Sequence, residues 1–166
     1  MRPRQRSQYF RNFTFGVEDS LVSTVGLLSG IAANQLTSAQ IIVTGLILLA
    51  VEGLSMAVGS LLTEHSADEL AARREVSLTQ DIPAAVIMFF SYFLTGFLPL
   101  SPYFFLSVSS ALPVSVLVSL VALFVLGLIN ARITHVRPLR SGLQMILIGG
   151  AAVLVGVLIG YFLKLA

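Results

Sequence analysis

Three carboxylates stand inside sequence that is otherwise apolar: Glu18 and Asp19 early in one hydrophobic segment, and Glu52 in the middle of the next. Neither segment contains a Lys or Arg in its interior. An unpaired carboxylate in hydrocarbon costs several kcal/mol, so such groups face a protein interior or water and hold a proton, a metal ion or a cationic substrate. Met56 follows Glu52 by one helical turn on the same face. With about 1.5 Å of rise per residue, Asp19 lies roughly 9 Å inside the first helix, and Met56 lies roughly 10 Å from the matching end of an antiparallel second helix. Asp19, Glu52 and Met56 are therefore expected to line one cavity. Oxygen ligands alone suit Mg²⁺ or Ca²⁺; an added thioether favours a softer first-row ion such as Fe²⁺ or Mn²⁺. Carboxylates in a low-dielectric site take up protons when the metal leaves, which points to proton coupling.

The same residues admit plainer roles. A methionine in an apolar helix is commonly a gap-filling core residue. Glu18 has a second reading as an interfacial side chain reaching water, and Asp19 and Glu52 as carboxylic acids hydrogen-bonded between helices without any transport.

The elements that must position these groups follow from the distribution of charge. The chain has 166 residues, 56% apolar and only 11% charged, with a mean hydropathy of +0.92. From Ile82 to Ala131 there is no charged residue or histidine, and Ser141 to Leu163 is a second uncharged run. A membrane helix needs roughly 20 apolar residues, so the expected fold class is an all-α polytopic membrane protein with five transmembrane helices per subunit. The expected spans are 12–34, 39–63, 82–98, 103–130 and 142–163, forming a single membrane domain over 1–166. Asn34-Gln35-Leu36-Thr37-Ser38 makes the first turn, and Pro99-Leu100-Ser101-Pro102 divides the long uncharged run. Residues 64–81 form a short acidic loop holding five of the eight acidic side chains. This leaves no room for a soluble catalytic domain. Cysteine is absent, which excludes disulfides, thiolate metal sites and a cysteine nucleophile. Nothing supports enzymatic activity, a resident cofactor or nucleic-acid binding.

Nine arginines precede the first span or lie in the second-to-third and fourth-to-fifth connections, against Lys164 alone beyond the fifth span. The positive-inside rule then puts the amino terminus in the cytosol and the carboxyl terminus on the other side. A cleaved signal peptide is the competing reading of the first 35 residues, but Glu18 and Asp19 would interrupt its apolar region and no small-x-small cleavage site follows.

The first helix reads Phe15-Gly16-Val17-Glu18-Asp19-Ser20-Leu21-Val22-Ser23-Thr24-Val25-Gly26-Leu27, and the second contains Gly53-Leu54-Ser55-Met56-Ala57-Val58-Gly59. These segments, with Ser141 to Met145 and Ile148-Gly149-Gly150 near the end, resemble the vacuolar iron transporter family, whose patterns are F-G-x-N-D-G-L-V-S-T-x-G-L and G-x-S-M-A-x-G. The resemblance implies a homodimer of five-helix subunits that exchanges cytosolic Fe²⁺ or Mn²⁺ for protons, along a path between first and second helices at the dimer axis. It carries the family's intramembrane aspartate onto Asp19 and its pathway methionine onto Met56; Glu52 rests on the physical argument alone. Three departures stand out. Glu18-Asp19-Ser20 replaces Asn-Asp-Gly, Ser60 stands where a glutamate is usual, and the short 64–81 loop takes the place of a long glutamate-rich metal-gathering domain.

That loop still offers a candidate cytosolic access site. Glu64 with Asp68 and His65 with Glu69 are spaced four apart, as metal-holding pairs on a helix are; the plainer reading is a solvated helical extension with Glu69 paired to Arg73. Gly26-x-x-x-Gly30 and Gly156-x-x-x-Gly160 permit close helix contact, without saying which surface is the dimer face. Pro113 is expected to kink the fourth helix, and His135 to face water or lipid phosphate.

The leading expectation is thus a proton-coupled divalent-metal transporter exporting Fe²⁺ or Mn²⁺, held in a plasma, inner or vacuole-like membrane, with metal ions, protons, lipid and a second subunit as partners. A non-transporting membrane scaffold, whose intramembrane acids serve helix assembly, is the alternative. A carrier of organic cations is a third, disfavoured by the absence of Trp and of an aromatic cage near Asp19.

Overall fold

A computed structural model describes the backbone of residues 3–34 and 36–165 and the side chains of 5–34 and 36–162. Arg2, Gln35 and the side chains of Arg4 and Lys164, used above for the first turn and for topology, lie outside the described residues. Regular structure among the described residues is entirely helical: α1 (Pro3–Ala32), α2 (Ser38–Ala72), a 3-10 turn (Leu78–Gln80), α3 (Ile82–Thr95), α4 (Phe97–Leu100), α5 (Pro102–Phe105), α6 (Val108–Thr134) and α7 (Pro138–Leu165). Among the described residues, five segments are long and apolar enough to cross a membrane: Gln5–Ala32, Ser38–Ala72, Leu78–Leu100, Val108–Thr134 and Pro138–Phe162.

Helix boundaries depart from the expected spans for identifiable reasons. α1 begins at Pro3, well before residue 12, because a polar, arginine-rich segment remains a good helix former outside the bilayer. α2 starts behind a capping box: the Thr37 N–H donates to Gln40 Oε1 at 2.9 Å, and the Gln40 N–H donates to Thr37 Oγ1. It continues to Ala72 and stops where Arg73 adopts a left-handed conformation, φ 50°. Its 35 residues span about 52 Å, well beyond a hydrocarbon core of about 30 Å. The first half of the expected 64–81 loop is therefore helix, and Glu64 is a buried helical residue rather than a loop residue. Pro99 and Pro102 do break the chain, but the residues after the break form α4 and α5, and the fourth long helix begins at Val108 rather than at residue 103. Leu106 is extended there, and Ser115 Oγ–H donates to the Pro99 carbonyl at 2.6 Å, holding the broken segment against α6. Pro113 lies in the second turn of α6.

α1 sits at the centre, packed against α7, α3, α6 and α2. The order is physical: α1 is the most polar of the long helices and gains most from protein neighbours in place of lipid. α2 is the opposite case, apolar on every side, with Ile41, Gly45, Leu49, Gly53 and Ala57 turned inward and Val43, Ile47, Val51 and Leu54 turned outward. One core cluster joins Leu28, Ile41, Leu49, Tyr92, Leu100 and Tyr103; a second joins Leu21, Leu123, Leu126 and Met145.

The glycine motifs are used inside the subunit. A Cβ on Gly30 would lie 2.8 Å from the Gly156 carbonyl oxygen, and one on Gly156 would collide with the Gly26 carbonyl. α1 and α7 therefore cross with their backbones in direct contact. Cross-links place the arginine-bearing ends together: Arg11 pairs with Glu64, Thr14 Oγ1–H donates to Asn130 Oδ1 at 3.3 Å, and His65 Nδ1 lies 3.5 Å from Asp81 Oδ2. The start of α1, the end of α2, the start of α3 and the end of α6 thus share one end of the bundle, and the short turn after α6 brings the start of α7 there too.

Candidate functional site

Tyr92 organises the region around the intramembrane acids. It is fully buried on α3, and its hydroxyl donates to Glu52 Oε2 on α2 at 2.6 Å. With its one hydrogen committed there, the phenolic oxygen accepts from Ser23 Oγ–H on α1 at 2.7 Å. Ser20 Oγ–H donates to the Tyr92 backbone carbonyl at 2.6 Å. Gly16 and Gly96 let α1 approach, since a Cβ on Gly16 would overlap Ser91 and one on Gly96 would lie 2.8 Å from Ser20 Oγ. Three helices are thereby fixed about one phenol, and Glu52 is held in a single orientation.

Asp19 lies one turn before Ser23 on α1, half-buried and close enough to Glu52 for the two to repel when both are ionised. Neither Glu18 nor Asp19 makes a side-chain hydrogen bond or ion pair among the described residues. Both stay available to a proton or a cation.

Two cavities flank this pair. The first, about 700 Å³, lies between α1, α2 and α7 and includes Ser23, Gly26, Gly30, Asn34, Glu52 and Gly156 in its lining; Glu52 is its one charged group. The second, about 490 Å³, lies between α1, α2 and α3 and includes Asn12, Phe15, Met56, Ser60, Glu64 and Met88. On α1 the linings stop at Phe15 on one side and resume at Val22 on the other, so Asp19 falls in the gap between them. On α2 the division passes between Glu52 and Ser55. The expectation of one cavity holding Asp19, Glu52 and Met56 is corrected: Glu52 faces one space and Met56 the other, with the carboxylates at the junction. Glu18, half-buried beside Asp19, lines neither. Met56 also packs against the cluster containing Tyr92.

At the arginine-bearing end of the second cavity α1 and α2 are joined by the Arg11–Glu64 ion pair and a 2.5 Å bond from Ser60 Oγ–H to Asn12 Oδ1. Beyond it, His65 and Glu69 form the expected i,i+4 pair, whereas Glu64 and Asp68 have separate partners. Glu64 is paired with Arg11, Asp68 accepts from Gln80 Nε2 at 3.2 Å, and His65 stands between Glu69, 3.4 Å from Nε2, and Asp81. Among the described residues, no three His, Asp or Glu side chains converge where they could share an ion.

Sequence reasoning missed Tyr92, Ser23 and Met88. Tyr92 had a usable signal, because a hydroxyl deep in an uncharged span must find a partner. Met88 had none: a methionine in an apolar helix looks like core until its neighbours are known.

Comparison with known proteins gives a consistent result. A sequence model of the VIT family matches residues 10–77 and 60–161. A protein of Tulipa gesneriana named Vacuolar iron transporter 1 is 38% identical over 72 residues, 43% of this chain and 29% of that protein. Its namesake from Oryza sativa subsp. japonica is 42% identical over 72 residues, with the same shares. The aligned stretch thus spans under a third of the length of these curated relatives.

Proposed function

The chain belongs to the VIT family, and on that premise we propose that it is a proton-coupled divalent-metal transporter that carries Fe²⁺ or Mn²⁺ out of the cytosol. The observation that carries this reading is the placement of Asp19 and Glu52 between two cavities that lie toward opposite ends of the bundle. A cation held there would be within reach of either end, needing only small helix displacements to exchange sides.

The residues divide the work by chemistry. Asp19 and Glu52 supply hard oxygen ligands and take up protons when the ion departs. Met56, with Met88 across the same cavity, adds polarizable sulfur that favours Fe²⁺ or Mn²⁺ over Mg²⁺. Glu18 raises the negative potential beside Asp19. Tyr92 and Ser23 keep the Glu52 carboxylate aimed, as outer-shell partners do in metal sites. Glu64, His65, Asp68 and Glu69 form an acidic approach that attracts cations through its field rather than as one chelate.

The arginine-bearing end faces the cytosol under the positive-inside rule, so transport runs toward the end near Asn34, into a vacuole-like compartment or out of the cell. The name of the plant relatives supports iron and a vacuole-like membrane. A homodimer completes the ligand set: the Glu52 cavity lies on a face bounded by α2 and α7, and a two-fold partner there would bring a second Glu52 to it.

Purified protein in liposomes is expected to take up Fe²⁺ or Mn²⁺ faster under an opposing proton gradient, and Asp19→Asn to abolish that uptake. Absence of metal flux under any gradient would falsify the reading, and a flux untouched by Asp19→Asn would remove the site assignment. A second reading, an assembly role for the acids, is favoured by the Tyr92–Glu52 bond alone. It predicts that Asp19→Asn and Glu52→Gln weaken assembly without affecting any ion movement.

A further inference from the structure

The turn between α6 and α7 bears a second kind of site at the surface. His135 caps α6 in a left-handed conformation, φ 57°, and the Val136 N–H donates back to the Ala131 carbonyl at 3.0 Å, so the connection is a defined turn. Beside it lies a cavity of about 720 Å³ lined by His135, Arg137, Arg140, Ser141 and Gln144, with Val136 and Pro138. No acidic residue lines it, and Arg132, Arg137 and Arg140 make no ion pair among the described residues. The sequence explains why: from Ile82 to the last residue there is no Asp or Glu. Arg11, by contrast, is paired with Glu64.

Position identifies the counter-ion. α6 and α7 are both long and apolar enough to span the membrane, so the turn between them lies at headgroup level. Exposed Ile133, Val136, Leu139 and Leu143 stand among these cations. A free phosphate gains nothing from such neighbours, whereas a phospholipid sets its phosphate on the guanidiniums and its glycerol and upper acyl carbons on the apolar side chains. We propose that the α6–α7 turn is a binding site for the headgroup of an anionic phospholipid, held by Arg137 and Arg140, with Ser141 and Gln144 as neutral donors.

The test uses the full chain in detergent, titrated with phosphatidylglycerol or phosphatidylcholine, with bound lipid counted by native mass spectrometry. Phosphatidylglycerol is expected to bind more tightly than phosphatidylcholine. At about fivefold per guanidinium, R137Q/R140Q is expected to weaken its binding roughly 25-fold. R137K/R140K, which keeps the charge, is expected to retain most of the binding, and R73Q/R74Q all of it. Equal affinity for the two lipids overturns the proposal, as does an R137Q/R140Q variant that binds like the original. Displacement of phosphatidylglycerol by an equal concentration of inorganic phosphate overturns the lipid assignment in favour of a free-anion site.

Discussion

The two faces of α1 are built on different principles. Toward α3 and α2 the helix is held by directed bonds: Ser20 to the Tyr92 carbonyl, Ser23 to the Tyr92 hydroxyl, Asn12 to Ser60 and Arg11 to Glu64. Toward α7 it is held by backbone contact, with Gly26 and Gly30 against Gly156 and Gly160. Directed bonds join α1 to α2 through side chains, whereas the glycine contacts bring the α1 and α7 backbones together and make that pair rigid. On this plan the bundle has a fixed pair, α1–α7, and a side-chain-bonded partner, α2; under the proposed function α2 is the natural element to move.

Four measurements can break or sharpen that contrast. The largest effect is expected on the rigid face. Gly156→Val would push a branched side chain into the Gly26 carbonyl, costing about 3 kcal/mol and lowering the melting temperature in detergent by about 10 °C. A near-normal melting temperature would show that α7 is free to shift. Next, Tyr92→Phe removes the bond to Glu52 and leaves Ser23 without its acceptor; a loss of about 2 kcal/mol in stability and a fall of about tenfold in metal flux are expected. If stability falls while flux holds, Tyr92 serves only packing.

Arg11→Gln should be milder, because the guanidinium is largely exposed although Glu64 is not. About 1 kcal/mol is expected, measured by thermal melting at low and high salt; a salt-independent loss would contradict an electrostatic origin. The smallest structural effect belongs to Met56→Leu, a volume-conserving change expected to cost under about 1.5 kcal/mol. Its signature is in selectivity: competition of Mg²⁺ against Fe²⁺ uptake should increase, since the hard ion loses nothing with the sulfur. Unchanged competition would return Met56 to an ordinary packing role.

Legibility from sequence differed between these regions for a physical reason. Asp19 and Glu52 were visible because a charge in an apolar run is costly whatever the fold around it. Helix number was visible because uncharged length must match bilayer thickness. The helical extension from Glu64 to Ala72 was harder to delimit, because outside the bilayer a polar segment gives no length constraint. Met56 lines a different cavity from Glu52, because rise per residue places a side chain along the helix axis whereas its assignment to one cavity or another follows from rotation and packing.

By itself, the sequence determined an all-α membrane chain of five long apolar helices, the acids within the apolar segments, and the arginine segments that share one end. Those properties depend on transfer energies and chain length, which each residue carries with it. Tertiary structure decided that α1 is central, that the glycine motifs join α1 to α7 within the subunit, that Tyr92 aims Glu52, and that the carboxylates divide two cavities. Each of these depends on which helix faces are opposed, a choice made by packing between residues far apart in the chain, such as Gly26 and Gly156, that no local pattern encodes.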